Sequence, residues 1–150
     1  MVVGSGTPEE SLAAAHAAHA LAQQLARQTV VRFVSCDAAA LAVAGEFGCS
    51  PWPLLVALRG VDLLIGGGGY NTVYEARATA TPLIALAHPR LYDRQSHRLR
   101  PDELASDWPH AIELAADHFN NRAPPSNQPA ATFVNGADAA YRIIAETLRG

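Results

Sequence analysis

The sequence predicts an α/β domain with a parallel, Rossmann-like sheet, and three observations lead there. Short runs such as Val61-Asp62-Leu63-Leu64-Ile65 and residues 83–87 are apolar almost throughout, the pattern of strands covered on both faces. Helix-forming stretches alternate with these runs, as crossover connections in a parallel sheet require. Two glycine-rich turns, Gly4-Ser5-Gly6 and residues 66–69, each follow directly on an apolar run, where α/β sheets place their ligands.

The elements follow in order. Val2 and Val3 read as the stub of a strand, as though an upstream domain preceded it. Thr7-Pro8-Glu9-Glu10 is a helix start, with Thr7 as N-cap, Pro8 in the first helical position and Glu10 closing a capping box. The alanine-rich stretch to about residue 27 continues that helix, and its Ala14, Ala18, Leu21 and Leu25 share one face. Residues 29–35 are β-branched and short, hence a strand. A weak helix over residues 37–44 leads to an extended segment at 46–49. Pro51 and Pro53 frame a turn into a helix over residues 54–58. The strand at 61–65 is followed by four glycines and a helix over residues 71–79, then the strand at 83–87. Beyond Pro89 come an Arg-rich stretch, a helix over 108–118, a Pro/Asn-rich loop at 120–129 and a last helix over 137–148.

Composition bounds the function. The 150 residues fit one domain, 49% hydrophobic and 17% charged, an ordinary soluble balance. A net charge of -3 without a basic stripe argues against nucleic acid as a partner. Every cationic side chain among the 11 Lys and Arg residues is Arg, so lysine Schiff-base chemistry and a P-loop lysine are excluded. Cys36 and Cys49 form no metal-binding pattern with the histidines and read as buried reduced thiols, so no metal is expected. No run approaches the roughly 20 apolar residues of a membrane span, and residues 1–8 lack a signal-peptide core, which makes the cytoplasm the expected location.

The turn at Gly66-Gly67-Gly68-Gly69-Tyr70-Asn71-Thr72-Val73-Tyr74-Glu75 is the main candidate site. Glycines let a ligand approach the backbone, and the unpaired amides of the following helix seat phosphate oxygens. No Gly-Lys-Ser/Thr follows, so it is not a P-loop. A dinucleotide fingerprint belongs to the first strand and wants an acidic ribose partner about 20 residues on. Four glycines making only a tight turn is the plainer alternative. Glu75 has two readings that stay open on the pattern alone: a capping box with Thr72, or a carboxylate accepting from two ribose hydroxyls.

Residues 62–98 resemble the C-terminal domain of glycosyltransferase family 28, of the GT-B fold. That family includes the transferase adding N-acetylglucosamine to the lipid intermediate of peptidoglycan. The resemblance rests on the apolar strand at 62–65, Gly68-Gly69-Tyr70-Asn71-Thr72 with Glu75, Pro82 before a buried strand, and Pro89-Arg90 followed by Asp93-Arg94-Gln95. The Gly-Tyr-Asn-Thr form with Pro-Arg is most similar to a bacterial branch of predicted glycosyltransferases. Gly4, Ser5 and Gly6 are similar to the family's first glycine loop, and the order of elements agrees to the C-terminus. The motifs cover about a quarter of the chain, the architecture nearly all of it.

The resemblance implies a Rossmann-like three-layer domain, the donor half of a glycosyltransferase, with a UDP-sugar (UDP-N-acetylglucosamine) as substrate and no cofactor. Gly67, Gly68, Gly69 and the amides of Tyr70, Asn71 and Thr72 would hold the diphosphate, and Glu75 the ribose. Asp93 and Gln95 would contact the donor sugar, and Glu46-Phe47-Gly48 would lie along the base. His88, at a strand's carboxyl end, is a further candidate contact, and His97 near Gln95 a weaker one. The leaving diphosphate would be stabilised by backbone dipoles. In GT-B enzymes the acceptor site and base belong to the N-terminal domain, which the resemblance leads one to expect outside these 150 residues. A separate acceptor-binding subunit is therefore expected, as in a eukaryotic relative split onto two polypeptides, with peripheral membrane association through it. A truncated fragment, a non-catalytic nucleotide-sugar-binding module and an epimerase relative are the alternatives. One departure from the family pattern is Ala80, where a glycine is usual.

Outside these motifs, His16 and His19 read as a solvated helix face. Arg90, Arg94, Arg98 and Arg100 form a basic cluster open to solvent, phosphate or anionic lipid, and Trp52 and Trp108 read as packing residues.

Overall fold

The computed structural model describes residues 1–25, 29–49, 53–121 and 136–147. Its strands are short and apolar: β1 (Val2–Gly4), β2 (Phe33–Ser35), β3 (Gly48–Cys49), β4 (Leu64–Gly67), β5 (Leu83–Leu86) and β6 (Leu104–Ala105). All pair in parallel, in the order β3-β2-β1-β4-β5-β6. The connecting helices are α1 (Pro8–Gln24), α2 (Ala38–Ala44), α3 (Leu54–Leu58) and α4 (Tyr70–Ala78), followed by α5 (Trp108–Asn120) and α6 (Gly136–Thr147).

Alternation along each strand builds the three layers, because successive side chains leave a sheet on opposite faces. Val2, Phe33, Ile65, Ile84 and Leu86 pack with the alanines of α1, α2 and α5. Val3, Val34, Leu64, Leu83 and Ala85 pack with Leu58 of α3 and with Val73 and Ala76 of α4. The expected parallel, Rossmann-like sheet is thus present, with helices on both faces. The alanine spacing of α1 lets it lie close: Ala14, Ala15 and Ala18 are all but fully buried. Phe33 is wholly buried, and burial of such a ring contributes about 1.5–3 kcal/mol.

Local signals set several boundaries. The Thr7 and Glu10 capping box opens α1, as its pattern predicts. Asp37 caps α2, its carboxylate accepting from the Ala40 amide at 2.9 Å. The end of α4 forms a Schellman motif, in which the amides of Ala80 and Thr81 donate to the carbonyls of Arg77 and Ala76 at 3.2 and 2.9 Å. Ala80 takes φ +55° there, a left-handed conformation that glycine adopts without strain. A glycine would fit this position without strain.

Other elements differ from expectation. The strand expected at 61–65 runs instead from Leu64 to Gly67, because Gly66 and Gly67 pair with Ala85 and Leu86. The strand expected from residue 29 begins at Phe33, and α1 ends at Gln24. The sixth strand, Leu104–Ala105, has no signal in the local pattern. Trp52 and most of the loop at 120–129 lie outside the described residues.

Candidate functional site

The strand order turns back between β1 and β4: β2 and β3 continue to one side, β5 and β6 to the other. At such a point the loops leaving the two central strands diverge and open a crevice at the carboxyl edge. Both glycine turns lie at this carboxyl edge, one leaving β1 at Gly4 and one leaving β4 at Gly67. They differ sharply in what their helix amides already hold.

The first turn is filled by the protein itself. The Thr7 amide donates to Glu10 Oε2 at 3.0 Å, and the Glu10 amide donates to Thr7 Oγ1 at 3.3 Å. A carboxylate thus occupies the place where a phosphate would sit on α1. Gly6 turns at φ +98°, and a side chain there would begin 2.0 Å from Glu10 Oε2. Gly4 is a packing residue, since a Cβ would stand 2.7 Å from the Phe33 ring. Ser5 and Gly6 are exposed, and the Ser5 Oγ lies 3.7 Å from the Cβ position of Gly67. The acid at the end of β2, Asp37, is likewise committed to capping α2.

The second turn divides its four glycines between packing and access. Gly66 is buried against β1, and a Cβ would lie 3.3 Å from the Val3 carbonyl oxygen. Gly68 is buried beneath Leu99, and its amide is spent on the Leu86 carbonyl at 2.8 Å. Gly68 therefore provides room rather than a free amide. Gly67 and Gly69 are only half-buried and face open or loosely filled space. Gly69 is the N-cap of α4 and brings no side-chain cap. The amides of Tyr70, Asn71 and Thr72 are the first three of the helix, which have no acceptor within it.

Because α4 starts at Tyr70, Thr72 lies inside its first turn and is not an N-cap. The capping-box reading of Glu75 is thereby excluded. Glu75 is half-buried, and desolvation pushes its carboxyl group above the ordinary value. Among the described residues the carboxylate has no hydrogen-bond or ion-pair partner. A half-buried carboxylate that no protein group engages among the described residues suits a pair of hydroxyl donors.

Gln95 and Asp93 tie the two carboxyl-end loops together. Gln95 is buried; its Oε1 accepts from the His88 amide at 3.0 Å and its Nε2 donates to Asp93 Oδ2 at 3.1 Å. Asp93 pairs with Arg98, which holds its carboxyl group below the ordinary value, and Arg98 donates to the Gly68 carbonyl at 3.1 Å. Both residues expected at the donor sugar are thus already engaged in positioning the loop after β5 against the glycine turn. His88 lies on that loop, its ring Cδ2 3.7 Å from the Cβ position of Gly67. Glu10 joins this network through His88 at 3.4 Å, and it and Arg98 were legible in the sequence only as a cap and as part of a basic cluster.

Several expectations are corrected. Phe47 precedes β3 and therefore lies at the amino edge of the sheet, away from the glycine turn; its ring packs edge-on against His19 at 4.9 Å. His19 is not solvated: Nε2 bonds the Val43 carbonyl at 2.8 Å and joins α1 to α2. Cys36 is exposed and Cys49 half-buried, so neither is the buried thiol expected. The Arg cluster is largely neutralised, Arg90 by Glu10, Arg98 by Asp93, and Arg100 by Asp102 and Glu103. Trp108 does pack, at the start of α5. A cavity of about 520 Å³ lies at the amino edge, among Leu21, Leu25, Val31, Leu63 and Phe119. It is at the opposite end of the strands from both glycine turns. Among the described residues no helix is long and apolar enough to cross a membrane.

Compared with protein-family models, curated proteins and solved structures, the chain matches none of them.

Proposed function

We propose that this chain binds a UDP-sugar, UDP-N-acetylglucosamine as the expected donor, and forms the donor half of a GT-B, family 28-like hexosyltransferase. One observation carries the reading. Of the two glycine turns at the crevice, the one at α1 is sealed by Glu10, while the one at α4 offers uncapped amides with an unpartnered carboxylate one turn further on. A diphosphate on the amides of Tyr70, Asn71 and Thr72, with the ribose hydroxyls on Glu75, uses both features.

The same contrast disfavours a dinucleotide cofactor or an epimerase-type site, because those use the first turn and the acid after the second strand. In transfer, the bond from the anomeric carbon to the diphosphate breaks while an acceptor oxygen bonds that carbon. The leaving diphosphate keeps the electron pair, stabilised by the α4 amides. The acceptor and the base that takes its proton would come from another domain or a partner subunit, with cytoplasmic work at a membrane face as the setting. A non-catalytic nucleotide-sugar module is the second reading, favoured by the same site and separated only by turnover.

Isothermal titration of UDP, UDP-N-acetylglucosamine and NAD tests the binding claim. Saturable heat with the two uridine ligands and none with NAD is expected; no uridine binding sinks the proposal. Transfer activity on adding an acceptor-domain partner separates enzyme from module.

A further inference from the structure

The cavity at the amino edge has the form of a gap in the sheet. The line of β1 is bonded on both sides as far as Met1. The Val2 amide donates to the Arg32 carbonyl at 2.7 Å, the Ile65 amide to the Met1 carbonyl at 2.9 Å, and the Met1 amino group to the Leu63 carbonyl at 2.7 Å. Below Met1 the flanking backbones continue, residues 29–32 on the β2 side and 61–63 on the β4 side, with the cavity between them. Since β2 and β4 both pair with β1, they stand two strand spacings apart, about 9.6 Å. The gap is therefore one strand wide.

Register fixes what would lie in it. Val2 is level with Phe33 and Ile65, so a residue two positions lower on the same line is level with Val31 and Leu63. Both of these are buried. A parallel ladder continued to that height takes its donors from the Arg32 and Leu63 amides. Among the described residues neither amide has an acceptor. Backbone N–H groups at covered positions are nearly always paired, so two unpaired ones facing a common gap point to a main-chain partner.

The walls suit the same occupant. Successive side chains leave a strand on opposite faces. On the α1 and α5 face the cavity is closed by Leu21, Leu25 and Phe119, and on the α3 face by Ala57 and Gly60. A large apolar side chain fits the first face and a small one the second. Val30, at even spacing from Val34 on the α3 face, is 75% exposed beside the gap.

We propose that this gap receives an extended strand of a partner polypeptide, inserted parallel between β2 and β4 in line with β1. Its carbonyls accept from the Arg32 and Leu63 amides, and one of its amides donates to the Val30 carbonyl. Main-chain pairing holds the strand, and alternate apolar side chains select it. The gap is at the opposite end of the strands from both glycine turns, so this proposal stands or falls apart from UDP binding.

Calorimetry and amide-resolved NMR of the full chain test it. The probe is the blocked peptide Val-Thr-Val-Thr-Val-Thr, and the control is a copy with Pro at its third and fifth positions, which cannot donate to a ladder. The first peptide should bind saturably and the control at least about tenfold more weakly, with exchange of the Arg32 and Leu63 amides slowed at least about tenfold in the complex. No binding of the first peptide, or binding that leaves both amides exchanging as before, overturns the proposal. Protection of both amides in the free chain would mean that the chain fills its own gap, and equally overturns it. So does a result in which the same six residues fused ahead of Met1 protect both amides while the free peptide does not bind. UDP affinity should be the same with and without the peptide; competition between them would place the peptide at the glycine turns and overturn the proposal, whereas absence of UDP binding alone sinks only the donor-site reading.

Discussion

Glu10 and Arg90, 80 positions apart, form an ion pair that bridges the first turn of α1 and the loop after β5. The pair lowers the Glu10 carboxyl value, so its stabilisation is complete above the ordinary carboxylate range. It is lost as pH falls through the depressed value and the proton displaces Arg90. Glu10→Gln should therefore flatten the decline of Tm between about pH 5 and pH 3. Thermal melts of both proteins across that window check this; parallel curves would show that the pair contributes nothing.

Glu75 carries the opposite sign. Its carboxyl value is raised by desolvation, so the ionised group destabilises the empty chain at neutral pH and the penalty disappears as pH falls. Glu75→Gln should raise Tm at about pH 7.5 while weakening UDP binding about tenfold, the loss of one charge-assisted contact. Unchanged affinity would remove Glu75 from the site.

Gly69 separates stability from binding most directly. Nothing lies within 4 Å of its Cβ position, and its backbone is extended, so a side chain is accommodated. Gly69→Asp should cap α4, adding up to about 1 kcal/mol to unfolding stability. The same carboxylate would sit on the amides of α4 and exclude phosphate, as Glu10 does at α1. Denaturant midpoints and UDP titration should move in opposite senses; tight UDP binding by this variant would place the anion elsewhere.

Ala80→Gly should stabilise the fold by about 1 kcal/mol, by removing left-handed strain at the Schellman position. The gain is read from the denaturant midpoint with unchanged slope. A loss would mean that added unfolded-state freedom outweighs the strain.

The sequence alone determined what is encoded within a few residues. Apolar runs marked the strands of a doubly covered sheet, Thr7 and Glu10 marked the start of α1, and Leu54–Leu58 emerged as the helix expected. The glycine turn before α4 was legible because strand, glycines and helix are contiguous. Tertiary structure decided everything that depends on backbone or charge from elsewhere. Leu104–Ala105 becomes a strand only because β5 offers it a partner, and Gly66 and Gly67 join β4 because β5 pairs with them. Phe47 faces His19 and the amino edge because parallel pairing of β3 with β2 sets its height. That the first glycine turn is closed is a local outcome, since Glu10 accepts from the Thr7 amide three residues away. Its pairing with His88 and Arg90, by contrast, arrives across the sheet. No periodicity reports a charge pair whose members meet only after the chain has folded.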